Sequence, residues 1–365
     1  TVTINADGSI THDGNFLIES GENLRDPDFL LRLHDYDPRF FEVVRSTSSK
    51  RGTVKGKMLS SCNITVKLKT SPDVTRENIT EWFKELDREY TEPPVDCNSD
   101  YLNGDKLLLI DISDLHLNLQ ATLFSTGNEY NCKIAESLFF YVINDVVSRT
   151  QSYDFNKIIF TIGGDMLNSD NLQGTTTKGT PQDNELPFYD SIELLYAMTV
   201  KAISMLSKIA PVDVIYISSN HDNVSGFKLA LYIAGWFRKN NRVKVDTSPL
   251  PRKYVKFGKT LFVFAHDAKE STLPQLIADE ARELWSQVET VEVFLQHKHT
   301  EIVLLEKYNM RIQRLPTVSA KSKWTVDEGY GSKRQCKSFI FDKEDGCTDV
   351  LYTPISQRVL KSIKD

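Results

Sequence analysis

Cysteine is scarce in this sequence of 365 residues, and it is unpaired. Cys62, Cys97, Cys132, Cys336 and Cys347 are odd in number, widely spaced and without a CxxC pair. That usage argues against a disulfide framework and against a cysteine-held zinc site. It fits a reducing compartment, so a cytoplasmic location is expected. No apolar run approaches the ~20 residues of a membrane-spanning helix, so no membrane partner is expected. The opening stretch, TVTINADGSI, lacks the basic-then-apolar layout of a secretory leader. Positive charge is not in excess either: 44 Lys and Arg face 50 Asp and Glu, for a formal net charge of −6. There is thus no global electrostatic case for nucleic-acid binding. Low-complexity tracts and long internal repeats are missing too. Histidine is rare, with seven in the whole chain, and its placing carries most of what can be read.

The stretch Lys106–His116, KLLLIDISDLH, organises the rest. Its apolar run from Leu107 to Ile110 has no polar alternation, the mark of a strand covered on both faces. In open α/β sheets the functional groups stand just beyond the carboxyl ends of such strands, and here Asp114 and His116 occupy that end. The pattern returns in KIIFTIGGD, ending at Asp165, and in VDVIYISSNHD, ending at Asn220, His221 and Asp222. It returns again in KTLFVFAHD, ending at His266, and in TVEVFLQHKH, ending at His297 and His299. One such histidine is ordinarily a satisfied structural residue. Five of seven at matched positions point to a shared site instead.

Helices are expected over 135–147, 191–209, 227–240 and 276–285, alternating with strands over 107–112, 157–162, 212–217, 260–265 and 291–295. That alternation makes a layered α/β fold. A small α+β module is expected over residues 1–75, with a winged-helix-like arrangement as one version. In it, DPDFLLRLHD reads as a short helix with Asp26 as N-cap. Residues 38–70 hold eight bases and one acid, beside Phe40 and Phe41. Such a stretch could meet phosphates, or it could be a solvated surface hairpin. Residues 76–104 read as an amphipathic helix over 75–90 and a turn-rich linker. The remaining 105–365 form the main domain. Within it, the polar segment between Asp165 and Tyr189 is long enough to be a functional or mobile loop overhanging the site. Lys178 and the threonines before it are candidate phosphate contacts, with a solvated lid as the bland alternative.

Asp114, His116, Asp165, Asn220, His266, His297 and His299 together offer carboxylate, amide oxygen and imidazole, with no thiolate. That set suits hard-to-borderline divalent ions, Mn foremost, with Fe, Zn, Mg or Ni as alternatives. The ligands are too many for one open ion and enough for two. Two ions ~3.5–4 Å apart can share a carboxylate and a hydroxide that attacks phosphorus in line.

In order and flavour, Asp114-Leu115-His116, Gly164-Asp165, Asn220-His221-Asp222, His266 and His297-Lys298-His299 resemble the motifs of the calcineurin-like metallophosphoesterases: DxH, GD, GNH(D/E), H and GHxH. The resemblance covers roughly residues 106–300. It implies a four-layer α/β/β/α sandwich whose second sheet is made of the strands after His299. It also implies that Asp114, His116, Asp165 and His299 hold one ion, with Asp165 bridging to a second held by Asn220, His266 and His297. His221 would orient the phosphate or protonate the leaving oxygen, and Asp222 would orient His221 or simply start a helix. Asp111, off the DxH spacing, reads as structural. Ser219 and Gln296 replace the usual glycines of the third and last motifs, and Asn168 replaces a frequent carboxylate, leaving it as a candidate substrate contact.

The sequence lacks the arginines of the protein-phosphatase branch, and the segments GNEY and TTTKGTPQD are similar to phage-encoded, DNA-repair-exonuclease-like members. That likeness implies a nuclease or exonuclease acting on DNA in a host cytoplasm, and leaves room for a homodimer. A small or cyclic nucleotide phosphodiesterase (or a phosphomonoesterase) is the enzymatic alternative. A DNA- or partner-binding protein on a phosphoesterase fold is the non-enzymatic one.

Overall fold

The computed structural model describes residues 2–4, 9–18, 23–34, 36, 38, 41–54, 57–68, 104–329 and 331–364. The helix expected over 75–90 and nearly all of the linker after it lie outside the described residues. The chain divides into two compact units, Thr1–Glu92 and Pro93–Asp365.

The first unit is built on a four-stranded antiparallel sheet in the order β1-β2-β4-β3, with β1 at Val2–Ile4, β2 at Ile10–Ile18, β3 at Phe41–Val54 and β4 at Lys57–Leu68. Helix α1, Pro27–Leu33, starts where Asp26 accepts a hydrogen bond from the Asp28 amide, and Pro27 fits the first turn. Leu30 and Leu31 of α1 pack on Ile64 and Val66 of β4. The winged-helix version calls for a helical core. The described residues instead carry one short helix on a sheet dominated by the β3–β4 hairpin. Strand β4 alternates inward from Ser60 to Val66, whereas β3 is exposed on both faces from Val44 to Thr53, so Arg45, Lys50 and Arg51 stand in solvent.

The second unit has two sheets. The six-stranded one runs β15-β14-β5-β6-β7-β8. Strands β5 (Lys106–Ile110), β6 (Phe155–Gly163), β7 (Val212–Ile217) and β8 (Val243–Asp246) are parallel, and β14 (Gln335–Asp342) and β15 (Gly346–Pro354) extend it antiparallel. The five-stranded one runs β12-β13-β11-β10-β9. Its parallel core is β10 (Thr260–Ala265), β11 (Thr290–Leu295) and β13 (Met310–Arg314), edged by antiparallel β9 (Lys253–Phe257) and β12 (Ile302–Lys307).

The period-two alternation of strands explains the packing. Leu107, Leu109, Ile159 and Ile217 of the first sheet share a cluster with Phe262, Phe264 and Phe294 of the second. The opposite face of the first sheet, with Leu108, Ile110, Ile158 and Phe160, is covered by helices α3 (Cys132–Arg149), α4 (Phe188–Ser207) and α5 (Asn223–Trp236). Leu261, Val263 and Val293 on the outer face of the second sheet meet Leu273 and Ile277 of helix α6 (Leu273–Glu280). A separate turn of helix, α7 (Arg282–Trp285), follows Ala281, so the single helix expected over 276–285 is two.

One expectation is corrected here. The second sheet is not made only of the strands after His299. It begins at β9 and takes in β10 and β11, while β14 and β15 return to the first sheet. A hydrophobic run marks a buried strand but does not say which sheet buries it.

Candidate metal centre

The strand-end residues converge from both sheets. Asp114 and His116 follow β5, Asp165 follows β6, and Asn220 and His221 follow β7. His266 follows β10, and His297 and His299 follow β11. The turns that carry them are tightly wound. Asp114, His116, Asp165, His297 and His299 all have φ between 47 and 73°, a left-handed conformation that non-glycine residues rarely hold. Such strain persists only where the surroundings over-determine it. Here the backbone supplies the constraint. The Asp114 amide donates to the Gly164 carbonyl at 2.8 Å, the His116 amide to Asp165 at 3.0 Å and the Leu117 amide to Met166 at 2.8 Å.

Three overlapping groups each place three ligand atoms within 4.8 Å of one another: Asp114, His116 and His299; His116, Asp165 and His221; and Asp165, His266 and His297. Asn220 joins through its Oδ1, 2.9 Å from His266 Nε2. His266 Nε2 is 3.0 Å from Asp165 Oδ2, and the other oxygen of Asp165 accepts from the His221 amide at 2.8 Å. Asp114 Oδ2 accepts from the His297 amide at 3.0 Å. Its Oδ1 is buried without a hydrogen-bond partner, 3.4 Å from His299 Nε2. An orphaned carboxylate oxygen facing imidazole nitrogens is what a cation would satisfy, so the donor set fits divalent metal ions. None of the four described cysteines takes part in these groups.

The charges are arranged to match. Burial pushes the Asp165 carboxyl up, but His266, His221 and His116 outweigh it and hold the carboxyl well below the usual range. Burial lowers His266, yet Asp165 and Asp114 overcome it and bring the imidazole up to about 9. His116 and His297 move the other way, through burial and neighbouring imidazoles.

Around these residues stands a supporting layer that sequence motifs do not advertise. Gln296 Nε2 donates to both oxygens of the buried Asp111, at 3.0 and 3.1 Å, and its Oε1 faces His266 Nδ1 at 3.3 Å. That chain gives His266 Nδ1–H an acceptor in Gln296 Oε1 and leaves Nε2 facing Asp165 and Asn220. Gly164, at φ 61°, leaves the room that Gln296 fills, since a Cβ there would collide with the Gln296 amide. Arg314 holds the Gln296 carbonyl at 3.3 Å, and Thr317 Oγ1 donates to the Asp114 carbonyl at 2.6 Å.

Two assignments need correction. Asp222 does not orient His221. Its carboxylate turns inward, accepting from the Leu167 amide at 2.8 Å and from the Ser219 hydroxyl. Burial first, then Asp165, raises it to about 7. His221 is oriented instead by the Asn168 carbonyl, 2.9 Å from its Nδ1. Asn168 is buried, and its amide holds the Asp183 carbonyl and Asn184 Oδ1, so its side chain is not directed at a substrate.

The 165–189 segment is pinned rather than loose. Asp170 reaches the start of α5, accepting from the amides of Val224 and Ser225 at 3.1 and 2.7 Å, where the helix leaves donors unpaired. The Thr177 amide meets the Asn220 carbonyl at 3.2 Å, and Lys178 next to it is exposed. No helix among the described residues is long and apolar enough to cross a membrane.

No family model and no curated protein matches this sequence. Solved structures do align. A single mutant of Vps29 from Entamoeba histolytica is 9% identical, covering 69% of this chain and 99% of its own at a TM-score of 0.28. A conserved uncharacterised protein of Streptococcus pneumoniae, described as a predicted phosphoesterase, is 11% identical over 68% of this chain and 98% of its own, with a TM-score of 0.24. Wild-type Vps29 from Entamoeba histolytica, complexed with zinc, is 10% identical over 68% and 98% at 0.25.

Proposed function

We propose that this chain is a calcineurin-like metallophosphoesterase. The two sheets with helices on their outer faces read as its four-layer α/β/β/α sandwich, and its reaction is hydrolysis of phosphodiester bonds, with DNA as the substrate. The observation that carries the reading is the meeting of Asp114, His116, Asp165, His221, His266, His297 and His299 in three overlapping ligand groups, the first of which holds the buried, unpartnered Oδ1 of Asp114. Asp114, His116, Asp165 and His299 would hold one ion, and Asp165, Asn220, His266 and His297 a second, manganese being the first choice for both. When bound, such ions supply a nucleophilic water near neutral pH and positive charge for the phosphoryl oxygens.

The chain's own residues do the rest. With Nδ1 donating to the Asn168 carbonyl, His221 keeps Nε2 to bind a phosphoryl oxygen or to give a proton to the leaving oxygen. Gln296 keeps His266 in the tautomer that points Nε2 into the site. DNA as substrate is supported by the exposed bases Arg45, Lys50 and Arg51 of the β3–β4 hairpin, which could track a phosphate backbone.

The test is Mn²⁺-dependent cleavage of end-labelled single- and double-stranded DNA, with His221→Ala as the control. The expected result is cleavage by the wild type and a loss of about 10²- to 10⁴-fold in the variant, the usual reach of general acid catalysis. A metal-loaded protein that cleaves neither strand would remove DNA from the reading. A His221→Ala rate equal to wild type would remove His221.

A further inference from the structure

Beside the proposed centre lies a cavity of about 200 Å³. Its wall includes His297 and His299, which also belong to the ligand groups, and Trp324. Trp324 is on helix α8, Lys323–Asp327, which Ser322 caps by accepting from the Thr325 amide. The helix packs against α2, Leu123–Thr126. Trp324 is 64% exposed, an unusual placement for so large an apolar side chain. Lys298 and Lys321 line the same cavity, are exposed, and make no ion pair among the described residues. The nearby acids are engaged elsewhere, Glu301 with Lys337 and Asp327 with Lys323.

An aromatic side chain, two lysines without an ion pair among the described residues and two candidate metal ligands on one cavity wall define one ligand chemistry: a planar ring joined to a phosphoester. The volume is below the ~300–1,000 Å³ of pockets that enclose a whole drug-sized ligand, so the cavity takes one flat unit of a larger molecule. Stacking on an aromatic side chain accepts any base, because every base has a π-face.

We infer that this cavity is a nucleoside subsite, in which Trp324 stacks the base next to the scissile phosphate and Lys298 and Lys321 hold that phosphate or its neighbour. The inference rests on the phosphodiesterase reading for its phosphate but not for its base. It makes a single-stranded segment or end the form of nucleic acid that fits, since a base inside a duplex has both faces covered by its stacked neighbours.

The experiment compares two probes by calorimetric titration of the Mn²⁺-supplemented full chain: thymidine 5′-monophosphate and 2-deoxyribose 5-phosphate, which lacks the base. The expected result is tighter binding of the nucleotide by about fivefold to a hundredfold, the range that one stacked base confers. Trp324→Ala removes that preference, Trp324→Phe keeps most of it, and Phe124→Ala on α2, outside the cavity, leaves it unchanged. Lys321→Gln weakens both probes and preserves their ratio. Equal affinity of the two probes for the wild type overturns the subsite, as does a preference that survives Trp324→Ala or absence of binding by either probe. Hydrolysis of bis(p-nitrophenyl) phosphate, which carries no nucleoside, is measured alongside. Hydrolysis without a base preference sinks the subsite alone, and a base preference without hydrolysis sinks the enzymatic reading while leaving the subsite standing.

Discussion

Replacing Gln296 by glycine brings the last motif closer to the pattern it resembles, and it should nonetheless damage this protein. Gln296 gives two hydrogen bonds, at 3.0 and 3.1 Å, to a carboxylate that is only 4% exposed and that also accepts from the Ser113 amide at 3.2 Å. Burial already raises the Asp111 carboxyl, with Gln296 the first group that opposes the shift. Removing the donor strands a buried acid, and hydrogen bonds to charged groups contribute about 1.5–3 kcal/mol. Glycine adds about 0.5–1 kcal/mol through chain freedom. It relieves no strain in return, because Gln296 is not among the residues with positive φ. A loss of about 3 kcal/mol lowers Tm by roughly 6–12 °C in a unit of this size. The second effect is on metal. Without the Gln296 oxygen, His266 Nδ1 loses its acceptor at 3.3 Å. Loss of such an outer partner weakens metal affinity by about 10- to 100-fold. Calorimetric unfolding of the chelated protein reads the first effect, and Mn²⁺ titration reads the second. A Gln296→Gly protein with unchanged or higher Tm and metal affinity within twofold of wild type would refute the chain from Asp111 to His266.

Asp165→Asn should leave the fold intact and cut phosphodiester hydrolysis by more than about 10²-fold, since a charged donor common to two ligand groups is lost; near-normal turnover would sink the two-ion assignment. Asp222→Ala should act mainly on stability, by about 2–3 kcal/mol, because the Leu167 amide and Ser219 lose a buried partner; a kcat loss with unchanged Tm would return Asp222 to the chemistry. Glu292 on β11 is held near 7 against an ordinary 4.5, by burial first and then Glu306, with Arg311 opposing. Its folded value is raised, so its contribution to stability is present below 4.5 and is lost as pH climbs through 7. Glu292→Gln should therefore gain about 1–2 kcal/mol over wild type at pH 8 and nothing at pH 4, after discounting for partial exposure. A pH-independent difference in urea midpoints would contradict that.

Much of the centre was legible because its chemistry sits at strand ends, where periodicity stops and a His or Asp follows. Strands 212–217 and 260–265 were read with the bounds the structure has. What escaped was whatever depends on contacts between distant segments. Nothing local says that β10 and β11 leave the sheet of β5, β6 and β7, since both kinds of strand are equally apolar. Nothing near Asp222 says that its carboxylate answers the amide of Leu167, 55 residues away. Asp170 reads as one more polar residue in a polar loop until α5 is seen to begin beside it. The glutamine in the glycine position was visible as a departure, but its use became visible only beside Asp111 and Gly164.

The centre also lies on a seam. Asp114, His116, Asp165 and Asn220 belong to the rim of one sheet, and His266, His297 and His299 to the rim of the other. Ions held there would act as rivets between two plates that otherwise meet through apolar side chains, hydrogen bonds and ion pairs such as Lys337–Glu301 and Lys259–Glu344. Chelation should then do more than silence a reaction. It should let the rims of the plates part first, so that amide exchange at 114–117 and 296–299 quickens before the phenylalanine interior does, and occupancy becomes the quantity that sets how long the folded chain survives a protease.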